Sequence, residues 1–234
     1  MKKSLLAIAL LSLSLPSLAN QAGDIVVRGG ATMVSPDSGS AGVALDGSLT
    51  PLSLTVDDNT QLGLNFVYFI DSNWAIELLA ATPFTHDVIL KDPDGVTSSV
   101  YGIDLNGEKL AEVTHLPPTL SALYYFDTGS AFKPYVGAGI NYTIFFDEQF
   151  TATPKAAGFK NLELDGSFGL SVQVGMDYEL DENWSLNISA RYIDIATDAS
   201  FDLTDPLNAG LEGRGSASID VDPMVYSVML GYKF

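Results

Sequence analysis

The sequence predicts an all-β protein, an eight-stranded antiparallel up-and-down transmembrane β-barrel. Three observations predict this fold. Eight segments of about ten or more residues alternate between apolar and polar side chains, which is the length and period of a tilted membrane strand. Short polar connections alternate along the chain with long ones, as in membrane barrels. The chain also ends on an alternating segment, 224–234, whose last residue is the aromatic Phe234.

The N-terminus has the pattern of a secretory signal peptide. Two lysines precede the apolar run 5–15, which is too short to span a bilayer as a helix. Ser17 and Ala19 are small residues at the −3 and −1 positions of a cleavage site. We therefore predict that residues 1–19 are removed and that residues 20–234 form the barrel. Loss of the two lysines leaves 9 basic side chains against 29 acidic ones, a charge of −20.

The remaining chain offers strands in place of membrane helices. After residue 18 there is no continuous apolar run of about eighteen residues, the length that a membrane helix needs. The predicted strands are 24–34, 60–70, 74–84, 113–126, 132–146, 168–180, 184–194 and 219–234. The short turns are 71–73, 127–131 and 181–183, and the predicted long loops are 35–59, 85–112, 147–167 and 195–218. Both termini should therefore lie at the short-turn end.

The two faces of the strands distinguish a membrane barrel from a soluble one. A soluble barrel is apolar inside, whereas a membrane barrel is apolar outside. The sixth predicted strand has one apolar face, made of Phe168, Leu170, Val172, Val174, Met176, Tyr178 and Leu180. Its other face is polar or small, made of Gly169, Ser171, Gln173, Gly175, Asp177 and Glu179. Such a narrow polar face fits the tight lumen of eight strands, and the apolar face fits lipid.

Aromatic side chains stand at the ends of the predicted strands. Trp74, Trp184 and Tyr232 fit the aromatic girdle of a membrane barrel. The ending at Tyr232 and Phe234 also resembles the C-terminal recognition pattern of bacterial outer-membrane proteins. The resemblance implies that these two residues form an assembly signal for the barrel assembly machinery, and that outer-membrane lipid and lipopolysaccharide surround the barrel.

Four stretches of the mature chain carry a resemblance to a known family. They are Thr60-Gln-Leu-Gly-Leu, Glu77-Leu-Leu-Ala-Ala-Thr-Pro-Phe84, His115-Leu-Pro-Pro-Thr-Leu120 and Pro134-Tyr-Val-Gly-Ala-Gly-Ile-Asn-Tyr142. In order and spacing they resemble the OmpW family of small outer-membrane proteins. The resemblance implies a barrel in the outer membrane of a Gram-negative bacterium, with an apolar channel that passes small hydrophobic compounds sideways into the membrane. The segment 91–109 departs from the family, so receptor roles of the loops do not carry over.

Three prolines give a physical reason for a sideways exit. Pro83 follows Trp74 by nine residues, and Pro117 and Pro118 precede Phe126 by nine and eight residues. Because the third and fourth predicted strands pair as a hairpin, the three prolines should lie at a similar height. Proline has no N–H and cannot donate to the ladder. The prolines predict a lateral opening in the wall, or alternatively they mark ordinary strand ends.

Charged residues also fall on the lumen face of the predicted strands. Arg28, Glu77 and Arg191 have this parity, with Gln173 and Asn65 as neutral neighbours. Because buried charge is costly unless it is paired and hydrogen-bonded, we predict a polar plug of paired charges that closes the route to the periplasm. Ion conduction through a polar lumen is the alternative.

Catalytic chemistry has little support in the sequence. The two histidines, His86 and His115, fall near the predicted loops, and a hydrolase would need one beside a serine nucleophile. Ser98, Ser99 and Ser121 are candidates by proximity alone. We therefore predict rim or loop histidines, no catalytic residue and no enzyme activity.

Metal and nucleic-acid sites are also disfavoured. The acidic turns 92–95 and 104–108 are too short for a calcium-binding EF-hand loop, so we interpret them as solvated turns, with weak divalent-ion binding as the alternative. The chain has no cysteine and therefore no thiolate metal site. A charge of −20 without a basic patch argues against nucleic acid. No cofactor is implied.

The sequence as a whole predicts a passive channel for small hydrophobic molecules. The solute would enter between the loops, meet an apolar funnel and leave through the barrel wall. One alternative is a structural or adhesive barrel with a plugged lumen, whose loops bind a partner. A lipid-modifying enzyme is a second alternative.

Overall fold

The computed structural model describes residues 20–37, 41–102, 104–204 and 212–234, and the predicted signal peptide, 1–19, lies outside them. The described residues form fifteen strands and two short helices. In chain order these are β1 (Ile25–Ser35), β2 (Ala41–Leu45), β3 (Ser48–Val56), β4 (Asn59–Phe69), β5 (Trp74–Ala81), β6 (Phe84–Lys91), α1 (Val96–Tyr101), β7 (Lys109–Leu116), β8 (Thr119–Tyr125), β9 (Phe132–Phe150), α2 (Ala152–Ala156), β10 (Phe159–Leu164), β11 (Ser167–Glu179), β12 (Trp184–Ile193), β13 (Ala196–Thr204), β14 (Glu212–Asp220) and β15 (Met224–Lys233). Neither helix is long and apolar enough to cross a membrane.

Eight of these strands close into the predicted antiparallel barrel. Their order is β1-β4-β5-β8-β9-β11-β12-β15, and β15 pairs back to β1. Where β15 pairs with β1, Val26 lies opposite Lys233, and the Phe234 N–H donates to the Ile25 carbonyl oxygen at 2.9 Å. Closure is physically required because an open sheet edge in lipid would leave backbone groups without partners. The prediction of eight strands closed by the last one is confirmed.

The faces of the barrel strands also follow the prediction. In β11, Phe168, Leu170, Val172 and Val174 are exposed on the outer surface, while Ser171 and Gln173 are buried in the lumen. At the short-turn end, aromatic rings pack against one another on the outer surface. The close pairs are Trp74 with Tyr124 (centroids 5.1 Å apart), Trp184 with Tyr232 (4.9 Å) and Tyr232 with Phe234 (4.8 Å). These rings form the expected girdle.

The long connections, predicted as loops, contain a second sheet above the first. This part of the prediction was wrong. The upper sheet runs β10-β13-β14-β2-β3-β6-β7-β9, and its final strand, β9, has 19 residues and belongs to both sheets. β10 lies against β9, so the upper sheet curls back on itself as an extension of the barrel.

The upper sheet has the reverse arrangement of faces. Its inner face is apolar and includes Leu52, Leu54, Val88, Leu90, Val113, Phe150, Phe159, Phe201 and Ile219. Its outer face is polar and includes the exposed residues Thr85, Lys91, Ser200, Ser216, Ser218 and Asp220. A polar outer face is unsuited to lipid, so the upper sheet stands above the membrane-spanning strands.

Three predicted strands are each divided in the structure. The predicted strand 74–84 ends at Ala81, and β6 begins at Phe84. The predicted strand 113–126 is interrupted at Pro117 and Pro118, and 219–234 is interrupted at 221–223. Each interruption contains a proline, which supplies no N–H to a ladder.

Candidate functional site

The hydrogen-bonded wall is interrupted where the sequence places its three prolines. Pairing of β5 with β8 ends where Leu79 lies opposite Thr119, and pairing of β6 with β7 begins where Phe84 lies opposite His115. Within this described stretch, neither strand pairing nor a backbone hydrogen bond joins the Thr82–Pro83 side to the Pro117–Pro118 side. The lower and upper sheets therefore meet at an unbonded seam.

The two sides of this seam differ in length, four residues facing three. Leu79 and Phe84 are both buried on the inner face. They are five positions apart, an odd number, so the alternation of inward and outward side chains shifts by one residue between them. Thr82 and Pro83 both lie exposed on the outside as a result. On the opposite side Pro118 is exposed and Pro117 is buried. The extra residue makes this a bulge, a feature that locally disrupts pairing.

Each of the two segments at the seam is still hydrogen-bonded to the strand on its other side. The Thr82 N–H donates to the Leu62 carbonyl oxygen of β4 at 2.9 Å. The Pro118 carbonyl oxygen accepts from the Tyr142 N–H at 3.2 Å and from the Asn141 amide at 3.1 Å, both in β9. The missing bonds are therefore confined to one interface, between the two halves of a hairpin.

Below the seam, the four residues predicted as a plug come together around Glu77. Glu77 and Arg28 are both 0% exposed, and the Glu77 carboxylate accepts from Arg28 at 2.9 Å. The Asn65 and Gln173 amides each donate to it at 2.9 Å. Arg191 donates to the second carboxylate oxygen of Glu77 and also to Gln173. Both oxygens of the Glu77 carboxylate are thus hydrogen-bonded, while Arg28 Nε and one terminal nitrogen of Arg191 have no partner among the described residues. The role of these charges in closing the lumen stays a prediction.

A second carboxylate, Asp177, completes the charge balance. It accepts from Arg28 at 2.5 Å, from Asn187 at 2.8 Å and from the Tyr125 hydroxyl at 3.1 Å. Two arginines therefore face two carboxylates. The lumen parity of Asp177 was evident from the sequence, but its partnership with Arg28 across the barrel was not.

Packed aromatic side chains lie next to this cluster in the lumen. Tyr125 packs between Phe69 and Tyr135 with tilted rings, whose centroids are 5.0 and 4.9 Å away. The Arg28 guanidinium lies 5.5 Å from the centre of the Tyr135 ring, within the range of a cation–π contact. Together with Val26, Val67 and Leu123 these rings form a continuous buried cluster. The lower lumen is a packed interior.

Above the seam lies an apolar chamber with a cavity volume of about 40 Å³, which opens to solvent. Its lining residues are Pro36, Val56, His86, Val88, Val113, His115, Phe145, Leu164, Ile195, Thr197, Ile219 and Val221. A second apolar cluster adjoins it, made of Val34, Phe84, Ile193, Ile195 and Val225. Since Phe84 opposite His115 is the first pair above the seam, the chamber and the seam are adjacent.

The two histidines lie inside this chamber, so their prediction as rim or loop residues was wrong. His86 is 3% exposed and His115 is 6% exposed. Their rings stack with centroids 5.0 Å apart, flanked by Phe84 and Phe145. Both belong to strands of the upper sheet, outside the membrane-spanning segments. Burial lowers the pKa of His86, and burial together with repulsion from His86 lowers the pKa of His115 to about 3. Both rings are neutral at neutral pH.

The serines proposed as partners do not meet the histidines. Ser98 and Ser99 donate to the Gly95 carbonyl oxygen in the α1 region, and Ser121 lies buried in the lower lumen. Within the described residues, no hydrogen bond joins either histidine to a serine.

The acidic turn at Asp92 has a structural role. Its carboxylate accepts from the Val96 and Thr97 N–H groups at 2.8 Å each, and from the Thr97 hydroxyl at 2.7 Å. Asp92 is buried, which corrects the prediction of a solvated turn there. Within the described part of the chain, no group of three acidic or histidine side chains is placed to hold a metal.

Comparisons with known proteins agree with this architecture. The chain matches the family model described as OmpW family across residues 21–234. It is 40% identical over 238 residues to outer membrane protein W of Vibrio cholerae serotype O1, covering 100% of both chains. It is 42% identical to outer membrane protein W of Escherichia coli strain K12, covering 95% of this chain and 93% of the relative. The crystal structure of OprG from Pseudomonas aeruginosa superposes with a TM-score of 0.81 at 42% identity, covering 92% of this chain and 98% of that one.

Proposed function

This chain belongs to the OmpW family of outer-membrane β-barrels, and we propose that it is a passive channel for small hydrophobic molecules with a lateral exit through the barrel wall. The solute enters the apolar chamber from outside the cell and leaves at the seam between Thr82–Pro83 and Pro117–Pro118. The observation that carries the proposal is the position of the unbonded seam directly beneath an apolar chamber.

The energetics of the two possible exits support the sideways route. A hydrophobic solute moving from the chamber into lipid stays in apolar surroundings, so it does not lose its transfer free energy of about 25 cal/mol per Å². A downward route must part the Arg28–Glu77–Arg191 cluster. Separating a buried charge from its partner costs about 3–5 kcal/mol. The cluster therefore acts as the plug, and the seam is the route of lower cost.

A structural or adhesive role is the second candidate. The packed lower lumen favours it, since a barrel filled by Tyr125, Tyr135 and the paired charges passes nothing to the periplasm. The acidic upper sheet would then bind a partner. The two candidates differ in whether hydrophobic solute crosses the outer membrane. In both, Tyr232 and Phe234 serve as the assembly signal, lipopolysaccharide surrounds the outer end, and no catalysis is involved.

The test is uptake by cells whose lipopolysaccharide layer is intact, with and without the protein. Hydrophobic solutes should enter faster when the protein is present, whereas a sugar of similar size should enter at the same rate. Uptake of the hydrophobic solutes at equal rates in both strains would refute the channel and favour the adhesive candidate.

A further inference from the structure

We infer that the chamber selects aromatic solutes that carry a hydroxyl group, and that His86 and His115 recognise that hydroxyl. The inference rests on the proposed function and adds to it the class of solute. Its basis is a pair of buried ring nitrogens that have no hydrogen-bond partner among the described residues, on two histidines whose rings line an otherwise apolar cavity.

The polar side chains in the chamber lining are His86, His115 and Thr197. The Thr197 hydroxyl already donates to the Asp165 carbonyl oxygen at 2.7 Å. The two imidazoles are therefore the groups left to hydrogen-bond a solute. Among the described residues, lysine and arginine are absent from the lining, so a carboxylate or phosphate headgroup would find no counter-charge there.

The contacts of His86 determine which kind of hydrogen-bond partner its second ring nitrogen, Nε2, can take. Its Nδ1 lies 2.7 Å from the backbone carbonyl oxygen of Asp57, and a carbonyl oxygen only accepts, so Nδ1 carries the hydrogen. In the neutral ring Nε2 is then an acceptor with a free lone pair. Nε2 is buried, and no described residue hydrogen-bonds to it. A ligand at this position must donate a hydrogen bond.

His115 presents a second unpartnered nitrogen beside the first. Its Nδ1 is buried and has no partner in the described part of the chain. Its ring stacks on that of His86 with the centroids 5.0 Å apart. A neutral imidazole has one N–H donor and one acceptor nitrogen. A hydroxyl group matches this pair, because it donates one hydrogen bond and accepts others through its oxygen. A hydrocarbon leaves the nitrogens unsatisfied.

The neighbouring rings favour a flat solute. Phe84 lies 5.7 Å from His115 in a stacked arrangement, and Phe145 lies 5.8 Å from it on a tilted ring. Aromatic solutes gain from such offset stacking beyond the burial of their area. The chamber thus combines ring surfaces with one hydroxyl-binding position, which is the chemistry of phenols and naphthols.

The test compares 2-naphthol with naphthalene, which differ by one hydroxyl group. The protein is labelled with ¹⁵N-histidine and placed in lipid nanodiscs. We expect 2-naphthol to shift the Nε2 resonance of His86, and naphthalene to leave it unchanged. The variant His86→Phe should bind 2-naphthol roughly tenfold more weakly, the value of one hydrogen bond, and should bind naphthalene as the parent does. The control Phe145→Leu, in the chamber lining, should weaken both probes alike.

Equal affinity of the parent for the two probes, without a shift at His86, overturns the inference even if neither variant folds. Uptake assays separate this failure from that of the proposed function. Protein-dependent uptake of naphthalene with no preference for 2-naphthol leaves the channel intact and removes the selectivity. If neither probe depends on the protein for uptake, the proposed function fails, and the inference fails with it as a statement about transported solutes.

Discussion

Replacement of Glu77 by alanine tests whether the paired charges hold the lower barrel together. The Glu77 carboxylate is fully buried and accepts hydrogen bonds from Arg28, Asn65, Gln173 and Arg191. Arg28 retains Asp177 as a counter-charge, but Arg191 loses the carboxylate that it contacts. Removing one partner of a buried ion pair costs about 3–5 kcal/mol.

We therefore expect Glu77→Ala to lower the free energy of unfolding by about 3–5 kcal/mol. Urea unfolding in lipid vesicles, followed by tryptophan fluorescence, measures this change. Glu182→Ala is the matched control, because Glu182 is exposed in a short turn and its loss should alter stability by less than about 0.5 kcal/mol. If the two variants are equally stable, the cluster is not the buried ionic network that the contacts describe.

Two further predictions concern the terminal aromatic residue and the chamber. Phe234→Ala should reduce the amount of protein in the outer membrane, because Phe234 is both a girdle residue and the proposed assembly signal. Heat-modifiable migration on a gel measures the folded fraction. A folded fraction equal to that of the wild type would show that the aromatic residue is dispensable. His115 should stay neutral from pH 8 to pH 4, because its pKa is lowered to about 3, whereas an unfolded histidine protonates near 6.5. Its contribution to stability is therefore full above pH 6.5 and declines as the pH falls toward 3. A ¹⁵N titration midpoint near 6 would contradict this assignment.

The membrane-spanning part of the fold was predictable because lipid imposes a simple rule on it. Each barrel strand must present about ten alternating positions, with apolar side chains outward. The same parity placed Arg28, Glu77, Gln173 and Arg191 in the lumen before any contact was known. Which of them meet is decided by the register across several strands, and Asp177 was missed for that reason.

The upper sheet was missed because its strands obey a different rule. β2 has only five residues, and β14 alternates Ser216 and Ser218 outward with Ala217 and Ile219 inward. Such small and polar residues have the composition of loops. The histidines were misplaced as a consequence, since His86 lay in the predicted loop 85–112 and His115 lay at the loop end of the predicted strand 113–126. The short apolar run Val88-Ile89-Leu90, inside the predicted loop 85–112, was the available signal.

The lateral exit, the central claim, is tested most directly by restoring hydrogen-bond donors at the seam. In the variant Pro83→Val, Pro117→Thr, Pro118→Val, each new residue is a good strand former with an N–H. The Pro118 carbonyl oxygen faces β9, and an N–H at position 118 would face the same way, so the new donors at positions 83 and 117 are the two that can bridge the seam. Two added ladder bonds of about 0.5–1.5 kcal/mol each should slow opening by about tenfold. Arg191→Ala is the control, which should raise small-ion conductance without speeding hydrophobic uptake.

The measurement is uptake of hydrophobic solute by cells carrying the triple variant, alongside hydrogen exchange of its new amides. We predict a folded barrel, protected amides at positions 83, 117 and 118, and uptake about tenfold slower than that of the parent. Protected amides with uptake equal to that of the parent would contradict the lateral route.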